Sequence, residues 1–122
     1  FPPERRLTQS SKIQGILDEG TIFKGSHCHM FRGERDDRPT RAAFVISEKS
    51  ASRAVLRNRI KRLMRESFRL QQPDLREGWP LVFLATRSVH EDLTRQDFDR
   101  DVRRHLRDAG ILADEESEGE NS

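Results

Sequence analysis

The chain has 122 residues, 33% of them hydrophobic and 36% charged, which fits one domain with a modest core and a large ionic surface. Its formal net charge of +2 hides an asymmetry: residues 114–120 hold five acidic side chains and no basic one, so the rest of the chain carries +7 and calls for a polyanion or an anionic membrane surface as partner. No apolar run approaches the ~18 residues of a bilayer-spanning segment, no signal peptide is visible, and a single cysteine, Cys28, excludes an internal disulfide and suits a reducing cytoplasm.

Residues 1–6, FPPERR, read as an extended arm, since two prolines oppose a helix start. LTQSSKIQGILDEG predicts a first helix, with Thr8 as N-cap, Gly20 as stop, and Ile13, Ile16 and Leu17 on one face. TIFKGSHCHMFRG reads as one strand, with Cys28 and Met30 on one side and His27, His29 and Phe31 on the other. After the charged turn ERDDRPT, RAAFVIS is a second strand. The short EKSAS connection offers Ser50 or Ser52 as a cap for the next element.

Residues 53 to about 71 carry the strongest helical pattern, ended by Pro73. WPLVFLATR is a nearly continuous apolar run and predicts a central, buried strand. Thr94 and Asp97 have capping-box spacing ahead of a last helix with Phe98, Val102, Leu106 and Ala109 as its apolar stripe. The expected organisation is one folded domain over residues 1–112 and a disordered acidic tail over 113–122. The order of elements predicts an α/β sandwich, with the second and third strands joined through the arginine-rich helix as a β-α-β unit.

That helix holds the argument for function. At about 100° per residue, Leu56, Ile60, Leu63, Met64 and Ser67 fall within roughly 100° of arc, with Phe68 just beyond. Asn58, Lys61, Arg62, Arg65 and Arg69 take the opposite arc, and Arg57 and Arg59 its two borders. A merely solvated face mixes signs, because like charges at i,i+4 repel by tenths of a kcal/mol. Here Glu66 is the one neutralising charge. Arginine forks suit phosphate oxygens and stack on bases, so nucleic acid is the expected partner.

The stretch RAVLRNRIKRLMRESFR resembles the RNR signature of the bacterial ribonuclease P protein subunit. LTQSSKIQGILDEG, CHMFRG, FVISEK and LVFLATR are similar, in the right order, to that family's opening helix, first strand, lysine-terminated strand and following strand. The resemblance implies a small α/β sandwich of about four strands and three helices with a left-handed β-α-β crossover. It implies binding to a catalytic RNA that, with its Mg²⁺ ions, removes the 5′ leader of precursor tRNA. By position, Arg53, Arg57, Asn58, Arg59, Lys61, Arg62, Arg65 and Arg69 inherit the contact with the catalytic RNA. A leader-binding cleft would take Phe31, Ile13, Leu17, Lys49, His27 and His29. No protein side chain is expected to be catalytic or to hold a metal.

The sequence departs from the family pattern in three places. Ile13 and Leu17 replace phenylalanines, Glu48 stands at one of two lysines, and SASR replaces a glycine-containing link before the helix. A ribosomal or DNA-binding module would explain the charge but not the ordered matches. A protein-only metalloenzyme is disfavoured: His27 and His29 point away from Cys28 in a strand, and no second ligand pair has zinc spacing.

Overall fold

The computed structural model describes residues 5–47 and 49–112. Glu48, a departure from the family pattern, and the acidic tail lie outside the described residues, as do the first four residues of the arm.

Three helices, α1 (Ser10–Glu19), α2 (Ala54–Leu70) and α3 (Arg95–Asp108), pack around four strands. The strands are β1 (Thr21–Phe23), β2 (Cys28–Arg32), β3 (Arg41–Val45) and β4 (Pro80–Ala85), and their order in the sheet is β1-β2-β4-β3. β1–β2 and β2–β4 are antiparallel, while β3 and β4, on either side of α2 in the chain, are parallel neighbours. The apolar run of β4 accordingly sits between two strands, with Leu81, Val82 and Phe83 fully buried.

Alternation along the strands makes two cores. On one face Cys28, Met30, Leu81 and Phe83 meet Ile60, Met64 and Phe68 of α2 and Phe98, Val102 and Leu106 of α3. Phe83 stacks on Phe44 at 5.7 Å and lies 5.7 Å from Phe68, so α2 is keyed to the sheet by three rings. On the other face Leu7, Ile16, Ala43 and Val82 form a smaller cluster, with Ile13, Leu17, Phe31 and Val45 half-buried around it.

Local chemistry explains most boundaries. Thr94 and Asp97 form the expected capping box, with the Thr94 N–H donating to Asp97 Oδ2 at 2.8 Å. α3 ends in a Schellman turn: Gly110 takes φ +75°, its N–H donates to the Arg107 carbonyl, and the Ile111 N–H donates to the Leu106 carbonyl at 2.8 Å.

Several expectations are corrected. The single strand over residues 21–33 is two strands of a hairpin. The chain turns at Gly25, where an added Cβ would lie 2.5 Å from the Cys28 carbonyl oxygen. Thr8 is not the N-cap of α1; Gln9 is, because the preceding arm stays extended along β3, with the Leu7 N–H donating to the Ala42 carbonyl. Neither Ser50 nor Ser52 caps α2. Ser50 is tied to Ser47 instead, and Arg53 takes the cap position without a side-chain bond. The helix ends at Leu70, before Pro73, which lies in a 3₁₀ turn over Gln72–Asp74.

Candidate nucleic-acid interface

α2 buries Ile60, Met64, Ser67 and Phe68, which turns its arginine arc outward. Asn58, Arg62, Arg65 and Arg69 are exposed. Arg69 is bonded to Glu66 at 2.7 Å, and that bond holds the Glu66 carboxyl below the usual carboxylate range. Arg62 and Arg65 form no salt bridge among the described residues. Arg53 stands at the start of the helix, 3.5 Å from Glu91, with both side chains mostly exposed.

The two border arginines are held differently. Arg57 folds back and donates from Nη1 to the Ala51 and Ser52 carbonyls at 3.0 and 2.8 Å. Arg59 donates from Nη2 to the Leu93 carbonyl at 2.7 Å, while its buried Nε has no partner among the described residues. Both guanidiniums are therefore oriented by backbone oxygens, which leaves their remaining N–H groups with fixed directions.

Beside this face lies an open groove of about 740 Å³. Ile13 of α1, Ala43 and Val45 of β3, Leu7 and Thr8 of the arm, and Lys61 and Arg65 of α2 line it. Ile13, Leu17, Phe31 and Val45 rim the apolar cluster under α1. Lys61 and Arg65 thus belong to both surfaces, and the groove joins the cationic helix to the apolar side of the sheet. The arm's part in it was not legible in the sequence: Arg6 bridges to Ala42, and Arg5 is bonded to Glu77 at 2.7 Å, pairings that only the folded chain reveals.

Of the other residues expected at the cleft, Lys49 is exposed in the turn after β3. His29 is half-exposed, and its Nδ1 accepts the Gly25 N–H at 3.1 Å. His27 does not share the face of Phe31. It precedes β2, where strand alternation does not apply, and its ring packs edge-on against Phe98 of α3 at 6.0 Å, on the opposite core.

Cys28 gathers Asp101 and His105 of α3 about it, with their ligating atoms within 4.8 Å of one another. These groups already have partners. Asp101 Oδ2 accepts the His27 and Cys28 N–H groups at 2.7 and 3.1 Å, and His105 Nε2 donates to the Cys28 carbonyl at 2.8 Å. Burial, reinforced by the Asp101 charge, drives the Cys28 thiol far up. The trio is a buried clasp between α3 and β2. Nor does the arginine face suit Mg²⁺, which needs oxygen ligands; its carboxylate, Glu66, is bound to Arg69.

A small α/β protein with a cationic helix beside an apolar groove is a nucleic-acid-binding protein in class. The model of the ribonuclease P family matches residues 1–110. The ribonuclease P protein components of Marinomonas sp. (strain MWYL1) and Ralstonia pickettii (strain 12J) are 39% and 35% identical, each over 93 residues. Those alignments cover 75% and 76% of this chain and 69% and 66% of the two relatives, so the chain spans about two thirds of their length. The solved ribonuclease P protein of Staphylococcus aureus shares the fold, with a TM-score of 0.74 at 21% identity over 88% of this chain and 97% of that one. The Thermotoga maritima protein does so at 0.64 and 22% identity, over 85% and 93%. The chain belongs to the ribonuclease P protein family, whose role is RNA binding in the processing of precursor tRNA.

Proposed function

We propose that this chain is the protein subunit of a cytoplasmic ribonuclease P ribonucleoprotein, with residues 1–112 as its RNA-binding unit. The outward face of α2, from Arg53 to Arg69, holds phosphates of the catalytic RNA. The groove and the surface around Ile13, Leu17, Phe31, His29 and Lys49 take the 5′ leader of precursor tRNA. Hydrolysis belongs to the RNA and the Mg²⁺ ions it holds. The observation that carries this reading is the shared lining: Ile13 and Val45 face the same groove as Lys61 and Arg65. A single strand can there meet apolar surface for its bases and cations for its backbone.

The test is reconstitution. The purified chain is mixed with a bacterial ribonuclease P RNA, and precursor-tRNA cleavage is followed at low Mg²⁺. Cleavage at Mg²⁺ concentrations where the RNA alone is inactive is expected. No stimulation at any Mg²⁺ concentration would refute the assignment, and so would cleavage by the protein without RNA.

A further inference from the structure

The sequence of α3 mixes its charges, and folding sorts them. Its 14 residues hold five arginines and four aspartates. Three of the aspartates are engaged. Asp97 closes the capping box with Thr94. Asp99 accepts the Ser67 hydroxyl of α2 at 2.5 Å and the Arg95 Nε–H at 3.2 Å, and Asp101 is buried against the backbone of β2. Asp108 is the one aspartate of this helix that is exposed. The arginines go the other way. Arg100, Arg104 and Arg107 are exposed and Arg103 is half-buried. At about 100° per residue these four fall within roughly 100° of arc, opposite the buried Phe98, Val102 and Leu106. Arg104 Nη2 donates to the Lys24 carbonyl at 2.9 Å, which sets the exposed Lys24 beside the stripe. A merely solvated face leaves both signs outward.

This stripe neighbours the arginine face of α2. The two helices cover the same face of the sheet, side by side and running in the same direction. Arg59 reaches the Leu93 carbonyl just ahead of α3, Ser67 meets Asp99, and Arg103 Nη1 donates to Gln71 Oε1 at 2.8 Å. Helices packed in this way have axes about 8–10 Å apart. That is no more than the Debye length of about 8 to 10 Å at ordinary salt, so cations on both helices act on the same stretch of a polyanion. The two flanks of α2 differ. Lys61 and Arg65 turn to the groove, whereas Arg59, Ser67 and Gln71 turn to α3. The stripe is therefore on the side of α2 away from the groove.

We propose that the outward face of α3, centred on Arg100 and Arg104 with Lys24 beside them, is a second phosphate-binding surface that holds the catalytic RNA next to its contact on α2. The partner is the RNA backbone, engaged through charge and not through base edges. It is the catalytic RNA and not the leader, because stripe and groove occupy opposite flanks of α2. This inference rests on the reading that α2 holds that RNA.

The experiment measures binding to a bacterial ribonuclease P RNA, without precursor tRNA, across a salt series. The full chain is compared with three double variants: R100A/R104A on α3, R62A/R65A on α2, and R35A/R38A in the turn between β2 and β3, which removes the same charge elsewhere. All six side chains are exposed, and thermal melting checks that each variant is folded. R100A/R104A is expected to lower the slope of log affinity against log salt by about 1.5, the equivalent of two contacts, and to lower it more than R35A/R38A does. The preference of the reconstituted complex for precursor over mature tRNA should be retained. A slope change no larger than that of R35A/R38A would overturn the proposal; if R62A/R65A still lowers the slope, the reading of α2 stands without it. A loss for R100A/R104A with none for R62A/R65A would support the α3 contact and count against α2. An unchanged slope with lost preference for precursor tRNA would put the leader on α3 and overturn the assignment to the catalytic RNA.

Discussion

Asp101 of α3 accepts the backbone N–H of Cys28 at 3.1 Å, and it takes the His27 N–H through the same oxygen. One turn further on, His105 donates to the Cys28 carbonyl. Both backbone groups of the first β2 residue are thereby satisfied by a helix more than seventy residues away in sequence. Asp101→Ala leaves two inward N–H groups without an acceptor, at a cost of about 2–3 kcal/mol. Urea unfolding should show a lower midpoint with an unchanged slope. RNA affinity of the folded fraction should hold, because Asp101 is on the core side of α3.

The same clasp makes stability depend on pH. Burial lowers the pKa of His105, against the opposing effects of its bond to the Cys28 carbonyl and the Asp101 charge; Arg104 and His29 lower it further. Burial and Lys24 also lower that of His29. The folded state therefore disfavours protonation that the unfolded state accepts near pH 6.5. Stability is full above that value and is lost as pH falls through the lowered folded values. His105→Gln, which keeps a donor for the Cys28 carbonyl, should flatten thermal stability against pH in this window. His29 should retain part of the slope. An unaltered profile would remove His105 as its source.

What could be read from the sequence was what short-range chemistry decides. The capping box at Thr94, the central position of β4 and the outward arc of α2 each depend on residues within a turn or two of one another. Part of what escaped depends on distant partners, and part on local bonds that a periodic pattern does not show. The arm became part of the groove through Arg6 and Ala42, which are 36 residues apart. Ser50 lost its capping role to a local bond with Ser47, and His27 changed face because Gly25 breaks the strand before it. The bonds of Arg57 and Arg59 to backbone carbonyls leave no mark in a helical projection.

If α2 tracks phosphates, RNA affinity should fall with salt by roughly 0.7 to 0.9 log units per log unit for each contact. Arg62→Ala and Arg65→Ala should each lower that slope by about one contact, since both are exposed and outside any salt bridge among the described residues. Arg69→Ala should lower it less, because Glu66 already engages that guanidinium. Equal slopes for the wild type and a triple variant would refute phosphate tracking by this face.

Phe31 is half-buried over the small core, so its ring has both a packing role and an open side. Stacking on an unpaired leader base is worth roughly 1–3 kcal/mol. Phe31→Ala should weaken binding of precursor tRNA by the reconstituted complex and leave mature tRNA nearly unaffected. Phe31→Leu keeps more of the packing and separates the two roles. If leucine restores both the melting temperature and leader discrimination, the ring serves packing alone.

Arg57 and Arg59 are each anchored by backbone oxygens, with no carboxylate bonded to either among the described residues. Such a group presents fixed N–H donors to phosphate but has neither a titratable base nor a metal ligand to offer chemistry. If this face holds the RNA as proposed, its contribution is to order RNA phosphates, and ordered phosphates bind Mg²⁺ more readily. Arg57→Ala or Arg59→Ala should therefore raise the Mg²⁺ needed for single-turnover cleavage, and excess Mg²⁺ should restore much of the rate. Each change also frees a backbone carbonyl on Ala51, Ser52 or Leu93, so protein must be saturating and its folded fraction checked by thermal melting. Arg57→Lys keeps the charge but loses the two-carbonyl fork, and should fall between wild type and alanine. A rate deficit that persists at saturating Mg²⁺ and saturating folded protein would place these side chains in the chemical step.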